Sequence, residues 1–211
     1  DMLRRNFVGY FVASMLAGMY VGFGILLIFT IGGLLDGAPY TKIVMGVSFG
    51  IALSLVVMAG SELFTGNNLV VALGLLQKTV TFRQAINLWL VCYLGNWAGS
   101  ALLAVIFHLS GLNNGSVGAF IVQTSAAKTS VALLPLFMRG VLCNALVCLA
   151  VWCGTKCKSE SGKLIMIFWC LFAFITTGFE HSIANMTLLT AGMLSPANTV
   201  MGVGGYLYNI L

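Results

Sequence analysis

Charged residues are the scarcest component of this sequence. Only 7% of its 211 residues are charged, and just five of these are acidic. A soluble chain normally carries about a quarter charged residues, so this sequence has too few to cover a water-exposed surface of its size. Apolar residues make up 60% of the chain, and the mean hydropathy is +1.03. A soluble globular fold is therefore excluded, and the sequence predicts burial in a lipid bilayer.

Patterns that would identify two other classes of protein are also missing. The Lys and Arg residues are scattered between apolar runs and form no patch with interleaved aromatic residues, so nucleic acid is not an expected partner. None of the six cysteines belongs to a Cys-x-x-Cys pair, and the two histidines, His108 and His181, are too few for a metal or haem cage. We therefore expect no metal, no cofactor and no enzyme activity.

Long apolar runs are what the sequence does contain. Lipid allows only helices or closed barrels to cross it, and a helical span needs roughly 20 mainly apolar residues. The runs are too long and too unbroken for the alternating strands of a barrel, which leaves an all-α fold. We place helices at about 6–35, 43–76, 84–111, 133–155, 163–193 and from about 197 onward. Leu211 falls about 15 residues into the sixth helix, so this span is expected to be incomplete here.

The basic residues divide unevenly between the two sides of the predicted bundle. One side holds Arg4, Arg5, Lys78, Arg83, Lys156, Lys158 and Lys163. The opposite loops hold only Lys42, which is balanced by Asp36, and Lys128. Because cytoplasmic loops carry the excess of positive charge, the N-terminus is predicted to lie in the cytoplasm.

Two acidic residues, Glu62 and Glu180, lie inside apolar stretches. A carboxylate near the centre of the bilayer costs roughly 2.5 to 3.5 kcal/mol, so each is expected to face protein or a water-filled cavity. Each belongs to a polar cluster that begins with a glycine, and each is followed five residues later by an asparagine, Asn67 or Asn185. The clusters predict a break in the second and the fifth helix, where the Glu and Asn side chains satisfy the freed backbone groups.

The matching clusters also indicate an internal repeat. Helices one to three correspond to helices four to six, which divides a single transmembrane domain, 1–211, into repeats at about 6–111 and 133–211. Because three is an odd number, the second copy enters the membrane from the opposite face, and the repeat is inverted. In such folds the broken helices meet near the midplane, where their N-termini offer N–H donors and partial positive charge to an anion.

Four polar residues are candidates for the centre of a permeation path. His181 directly follows Glu180, and its imidazole can donate a hydrogen bond or carry a charge, so conduction is expected to respond to pH between about 5 and 8. Thr65 is predicted to face His181, either as a hydroxyl donor or bonded to its own loop. Lys128 precedes the fourth helix, where it either attracts anions into an outer vestibule or extends to the lipid headgroups. Asn144, in the middle of the fourth helix, is expected to bond a broken helix or the permeant.

Five segments carry a resemblance to a known family. Residues 57–67 (VMAGSELFTGN) resemble the signature of the formate/nitrite transporter family. They are joined, in family order, by residues 95–99 (GNWAG), 139–144 (RGVLCN), 146–148 (LVC) and 178–186 (GFEHSIANM). The resemblance covers essentially the whole chain, and the first helix is more similar to the nitrite and hydrosulfide branches than to the formate branch.

The resemblance implies a homopentamer in which each protomer has an aquaporin-like fold of six helices and its own pore. Members move formate, nitrite or hydrosulfide across bacterial inner membranes. By resemblance, the family's central histidine is His181, its loop threonine Thr65, its vestibule lysine Lys128 and its fourth-helix asparagine Asn144. The constrictions implied in the same way are Phe49 and Phe174 toward the outside, and Leu53, Leu63, Phe64 and Val147 toward the cytoplasm.

The expected function is therefore a channel for small monovalent anions of weak acids. One alternative is a proton-coupled transporter of the same anions, which the buried Glu62, Glu180 and His181 are chemically able to support. A second alternative is a pore for neutral solutes with the same fold, although the paired Asn-Pro-Ala loops expected there are missing from this sequence.

Overall fold

The computed structural model of the protein describes residues 6–198 and 201–210. Within these residues the fold is all-α, with ten helices and no strand, as predicted. In chain order the helices are α1 (Phe7–Leu34), α2 (Thr41–Ser48), α3 (Ile51–Ala59), α4 (Phe64–Leu76), α5 (Phe82–Leu109), α6 (Gly115–Thr129), α7 (Leu133–Lys156), α8 (Glu160–Thr177), α9 (Ser182–Leu194) and α10 (Val203–Ile210). The predictions that used Arg4, Arg5 and Leu211 fall on positions outside the described residues.

Five stretches of the described chain are long and apolar enough to span a bilayer. They are α1, α2 with α3, α5, α7 and α8. Taken together with the helices that follow the breaks, α4 and α9, they confirm the first five predicted spans to within a few residues, and α10 covers eight residues of the predicted sixth. Two of the spans begin where a hydroxyl side chain accepts a hydrogen bond from the first turn, at Thr81 before α5 and at Ser159 before α8.

The second and fifth spans are broken, as the polar clusters predict. α3 ends at Gly60 and α8 ends at Gly178, which adopt the left-handed conformation with φ of 68° and 81°. Glycine is the residue that adopts this conformation without a steric penalty, so it ends each helix and turns the chain. After each glycine the backbone becomes extended, and a new helix begins at Phe64 or Ser182. A further turn at residues 49–50, which separates α2 from α3, was not predicted.

The two breaks make equivalent contacts, as expected for the two copies of a repeat. The backbone N–H of Glu62 donates to the carbonyl oxygen of Ala13 on α1, at 3.3 Å, and that of Glu180 donates to the carbonyl oxygen of Arg139 on α7, at 3.4 Å. Each break is thus held against the first helix of its own repeat.

Helix α6 is missing from the sequence-based prediction, which treats residues 112–132 as a connection. The segment is too short and too polar to resemble a span, because it holds Gln123, Thr124, Ser125 and Lys128 within fifteen residues. It folds as a helix because it packs against α1 and α9: Phe120 lies against Phe29, with ring centroids 5.8 Å apart. This packing brings Lys128 to the second break.

Candidate functional site

Thr65 and His181 meet at the centre of the molecule. The hydroxyl oxygen Oγ1 of Thr65, in the first turn of α4, lies 3.1 Å from Nε2 of His181, the residue just before α9. Both side chains are buried. Sequence reasoning placed these residues face to face, and the structure brings them together, although Thr65 lies in a helix and not in the loop itself.

The hydrogen bond at the other imidazole nitrogen of His181 shows which nitrogen carries the proton of the neutral ring. Nδ1 accepts a hydrogen bond from the backbone N–H of Ala184, at 3.1 Å, and so caps the N-terminus of α9. A ring nitrogen that accepts an N–H carries no proton, so the neutral ring holds its proton on Nε2. His181 therefore donates to Thr65, and the hydroxyl proton of Thr65 is free to point toward a bound anion.

Apolar side chains lie beside His181. Phe49, Leu53, Leu63, Val147 and Phe174 line a space of about 10 Å³ beside His181, which is close to the smallest cavity that holds one water.

The two phenylalanines that line this space are in contact with each other. Phe49 and Phe174 meet edge to face at 5.3 Å, and the ring of Phe174 stacks on the imidazole of His181 at 5.9 Å. Phe64 is the one predicted constriction residue that the structure does not bring to this space. Its ring packs against Tyr93, at 5.1 Å, and Phe64 lines a separate cavity together with Thr65 and His181.

A larger cavity of about 500 Å³ reaches His181 from the side of the bundle where α1 connects to α2. We call it the Asp36 cavity. Its charged lining residues are Asp36, Lys42, Lys128, Arg139 and Glu180. Lys128 is tied to the wall of this cavity, since its Nζ donates to Oε2 of Glu180 at 2.6 Å. Lys128, which was expected either to attract anions into an outer vestibule or to extend to the lipid headgroups, is thus part of an ion pair.

The ion pair belongs to a closed ring of hydrogen bonds. Glu180 Oε2 also accepts from Nδ2 of Asn185, at 2.7 Å, and the same amide donates to Oδ1 of Asn209 on α10, at 2.7 Å. Nδ2 of Asn209 donates in turn to the backbone oxygen of Lys128, at 3.0 Å. The ring joins the second break to α6, α9 and α10, and the sequence analysis did not single out Asn209.

The first break has an equivalent support. Glu62 Oε2 accepts from Nδ2 of Asn67 at 2.8 Å, the same spacing as Glu180 and Asn185. The fully buried Asn96 of α5 completes this support: its Nδ2 donates to the backbone oxygens of Ser14 and Glu62, and its Oδ1 accepts from the backbone N–H of Phe64 at 2.9 Å. Asn96 was part of a recognised motif but was assigned no role.

Asn144 bonds a broken helix, one of the two roles expected for it. Its Oδ1 accepts from Nδ2 of Asn68 on α4 at 3.2 Å, and its Nδ2 lies 3.4 Å from Sγ of Cys148. Together with Thr65 and His181, Asn144 lines a cavity of about 440 Å³. No signal in the sequence pointed to Asn68, because nothing local shows that it packs against a residue 76 positions away.

The site offers hydrogen-bond donors and positive charge rather than metal ligands. In residues 6–198 and 201–210, no three His, Cys, Asp or Glu side chains come together as a metal site. The imidazole N–H of His181 and the hydroxyl group of Thr65 lie together at the N-termini of α4 and α9. This is an arrangement that binds anions.

Comparison with known proteins agrees with this chemistry. Residues 1–211 match the family described as formate/nitrite transporter. The chain is 44% identical over 204 residues to the nitrite transporter NirC of Salmonella typhimurium, covering 95% of this chain and 75% of that protein. It is 32% identical over 197 residues to the formate channel FocA of Haemophilus influenzae, with coverages of 91% and 69%.

Solved structures show the same similarity. One described as an FNT family ion channel matches with a TM-score of 0.93 and 39% identity, over 99% of this chain and 84% of that one. A pentameric formate channel with formate bound matches with a TM-score of 0.81 and 28% identity, over 92% and 77%. The family predicted from the five sequence segments is thus confirmed: this chain belongs to the formate/nitrite transporter family.

Proposed function

We propose that this protein is a membrane channel that passes small monovalent anions of weak acids, namely nitrite, hydrosulfide or formate. The observation that carries the proposal is the pairing of Thr65 with His181 at the N-termini of two helices, where apolar side chains lie beside His181. Such a centre replaces the water that an anion loses, while the apolar side chains exclude ions that keep their hydration shell.

The energetic requirement on this centre is large. Moving a carboxylate-sized ion into a medium of low dielectric constant costs of order 20 kcal/mol in the idealised Born estimate, so the protein must solvate the charge or neutralise it. In the first route an anion that displaces the hydrogen bond between Thr65 and His181 accepts from both the hydroxyl group of Thr65 and the Nε2–H of His181. In the second route the anion takes up a proton and passes the apolar side chains as the neutral acid.

His181 acts as a neutral donor in this proposal. A second proton on the ring would have to bind Nδ1, which is already the acceptor for Ala184 N–H. Protonation therefore removes the cap of α9, and a pH response of conduction follows from the loss of this helix cap as much as from the added charge.

Similarity to the relatives supports nitrite more strongly than formate as the substrate. A nitrite transporter shares 44% of aligned residues with this chain, against 32% for a formate channel. The first helix is also more similar to the nitrite and hydrosulfide branches. The three anions are close in size and charge, so we propose nitrite or hydrosulfide first and formate as a further permeant.

The assembly and its setting are part of the same proposal. We infer a homopentamer in a bacterial inner membrane, with a pore in every protomer and the N-terminus in the cytoplasm. The pentameric formate channel that resembles this chain supports the assembly. We propose that 1–211 forms one channel domain whose repeats lie at about 6–111 and 133–211, and that its role is transport without catalysis, as in its relatives.

Flux measurements on purified protein in liposomes test the proposal. Nitrite, hydrosulfide and formate are each supplied at two pH values, and swelling is followed by light scattering. We expect at least one anion to cross much faster than in protein-free liposomes and to run down its gradient without an imposed pH difference. Flux of all three at the protein-free rate overturns the proposal, whereas uphill flux driven by a pH gradient identifies a proton-coupled transporter.

A further inference from the structure

Helix α7 has one apolar side that faces away from the rest of the protein. Five exposed residues follow one another there at intervals of three or four and so share one side of the helix: Met138, Leu142, Ala145, Leu149 and Trp152. The opposite side is buried and consists of Cys143, Val147, Ala150 and Gly154. We call the exposed side the outer face of α7.

The outer face ends at a lysine. Lys156 comes one helical turn after Trp152, and its Nζ lies 4.9 Å from the centroid of the indole ring. This is the geometry of a cation–π contact, which holds the ammonium group at the end of the apolar face. Tryptophan is enriched where the hydrocarbon of a membrane meets the headgroups, so Trp152 and Lys156 mark that boundary on α7.

The connection from α7 to α8 adds more positive charge. Residues 156–163 hold three lysines and one glutamate, a net charge of +2. Nζ of Lys163 lies 3.3 Å from both carboxylate oxygens of Glu160, so these two charges balance each other. Lys156 and Lys158 are exposed, and no carboxylate of the described residues lies within ion-pair distance of either. The surplus charge therefore belongs to Lys156 and Lys158.

The length of the outer face matches an acyl chain. From Leu142 to Trp152 an α-helix rises about 15 Å, at 1.5 Å per residue. This is half the thickness of a hydrocarbon core of about 30 Å, the depth that one leaflet of lipid occupies. The outer face thus offers apolar surface along one leaflet and two unbalanced positive charges at its end.

We infer that the outer face of α7 binds an anionic phospholipid, with an acyl chain along Leu142 to Trp152 and the phosphate group at Lys156 and Lys158. A lipid with a net negative charge complements both parts of this surface. A zwitterionic lipid covers the apolar part equally well, but its own cation offsets the attraction of its phosphate to the lysines. The residues of this face line none of the three cavities around His181, so the lipid site is separate from the anion path.

Native mass spectrometry of the purified protein tests the inference. Phosphatidylglycerol or phosphatidylcholine with the same acyl chains is added in detergent, and the bound fraction gives the affinity. We expect phosphatidylglycerol to bind about tenfold more tightly, because two lysines contribute to its binding. Inorganic phosphate should not displace it, since phosphate has no chain to cover the apolar face. Equal affinity for the two lipids, or displacement of bound lipid by phosphate, overturns the inference.

Single variants locate the site. Lys156→Gln and Lys158→Gln should each weaken the binding of phosphatidylglycerol about fivefold, the effect of one lysine near an anionic headgroup. Lys156→Arg keeps the charge and the contact with the indole ring, so it should retain the affinity. Unchanged affinity for phosphatidylcholine shows that each variant is folded.

Lys78→Gln is the matched control. It removes one exposed charge from the connection between α4 and α5, on the same predicted side of the membrane but away from Trp152. We expect this variant to bind phosphatidylglycerol as the native protein does. A loss as large as in Lys156→Gln would show a general attraction to the protein surface and no site on α7.

A second copy of the chain is the other partner that an apolar helix face could take. Trp152→Leu distinguishes the two, with the oligomer mass read from the same spectra. We expect the oligomer to persist in this variant while the affinity for phosphatidylglycerol falls, because the cation–π contact that positions Lys156 is lost. Dissociation of the oligomer with unchanged lipid affinity would identify a protein interface and overturn the inference.

Discussion

Leu63 and His181 occupy equivalent positions in the two halves of the fold. Each follows a break glutamate, each has an extended backbone, with φ of −98° and −127°, and each precedes a new helix. One repeat places an apolar side chain there and the other an imidazole that caps its helix. The inverted symmetry of the backbone therefore produces a pore whose centre is not symmetric: the second repeat provides the donor, and the first provides Thr65, two residues later.

Replacing the hydroxyl group of Thr65 tests the donor that the first repeat provides. Thr65→Val keeps the shape of the side chain and removes its hydrogen bond. We expect flux of the permeant anion to fall about tenfold or more, because the loss of a buried donor costs about 1 to 3 kcal/mol. Thr65→Ser should retain most of the flux. Thr155→Val, which removes an exposed hydroxyl at the end of α7, is the control for the loss of a threonine and should leave flux unchanged.

The second prediction concerns the pH response. In His181→Asn the amide keeps a helix-cap acceptor and an N–H donor but has no titratable ring. We expect this variant to conduct and to lose the pH dependence that protonation of His181 produces. The measurement is liposome flux as a function of pH, and a pH profile identical to that of the native protein rules out titration of His181.

The ion pair on the wall of the Asp36 cavity makes the third prediction. Lys128→Met leaves the carboxylate of Glu180 buried without its cation, which should lower the stability of the protein by about 3 to 5 kcal/mol. Lys128→Met combined with Glu180→Gln should recover much of that loss, since no unpaired charge remains. Thermal unfolding in detergent measures both, and a double variant as unstable as the single one refutes the pairing.

Asn96 provides a prediction for the first break. Asn96→Ala removes three hydrogen bonds from buried backbone groups around Glu62, so a loss of stability of at least about 2 kcal/mol is expected. Asn114→Ala is the matched control, because this exposed asparagine bonds only the oxygen of Gly111. Similar unfolding temperatures for the two variants would show that Asn96 does not support the break.

The breaks were predictable because their signals are local. A glycine indicates where one helix ends. A glutamate that is costly in lipid, followed five residues later by an asparagine, indicates how the start of the next helix is supported. Lys128 shows the limit of such reasoning. Its partner Glu180 is 52 residues away, and the helix that brings it there, α6, has neither the length nor the hydropathy of a span.

Phe64 shows a second limit. Leu63 and Phe64 are neighbours at the start of α4, and both were expected at a constriction. Leu63 is the residue before the helix and has an extended backbone, whereas Phe64 is the first residue of the helix, so the two side chains point in different directions. Leu63 lines the small cavity, and Phe64 packs on Tyr93. The family pattern identifies the segment, but the direction of each side chain needs the three-dimensional structure.

The most direct measurement of the central claim is an experimental structure of the protein with nitrite bound at high concentration. We predict density for the anion within about 3 Å of His181 Nε2 and Thr65 Oγ1 in each protomer, the distance of a charge-assisted hydrogen bond. Ordered nitrite found only outside the protomers, with Thr65 and His181 bonded to each other and enclosed by unchanged apolar side chains, would contradict the account.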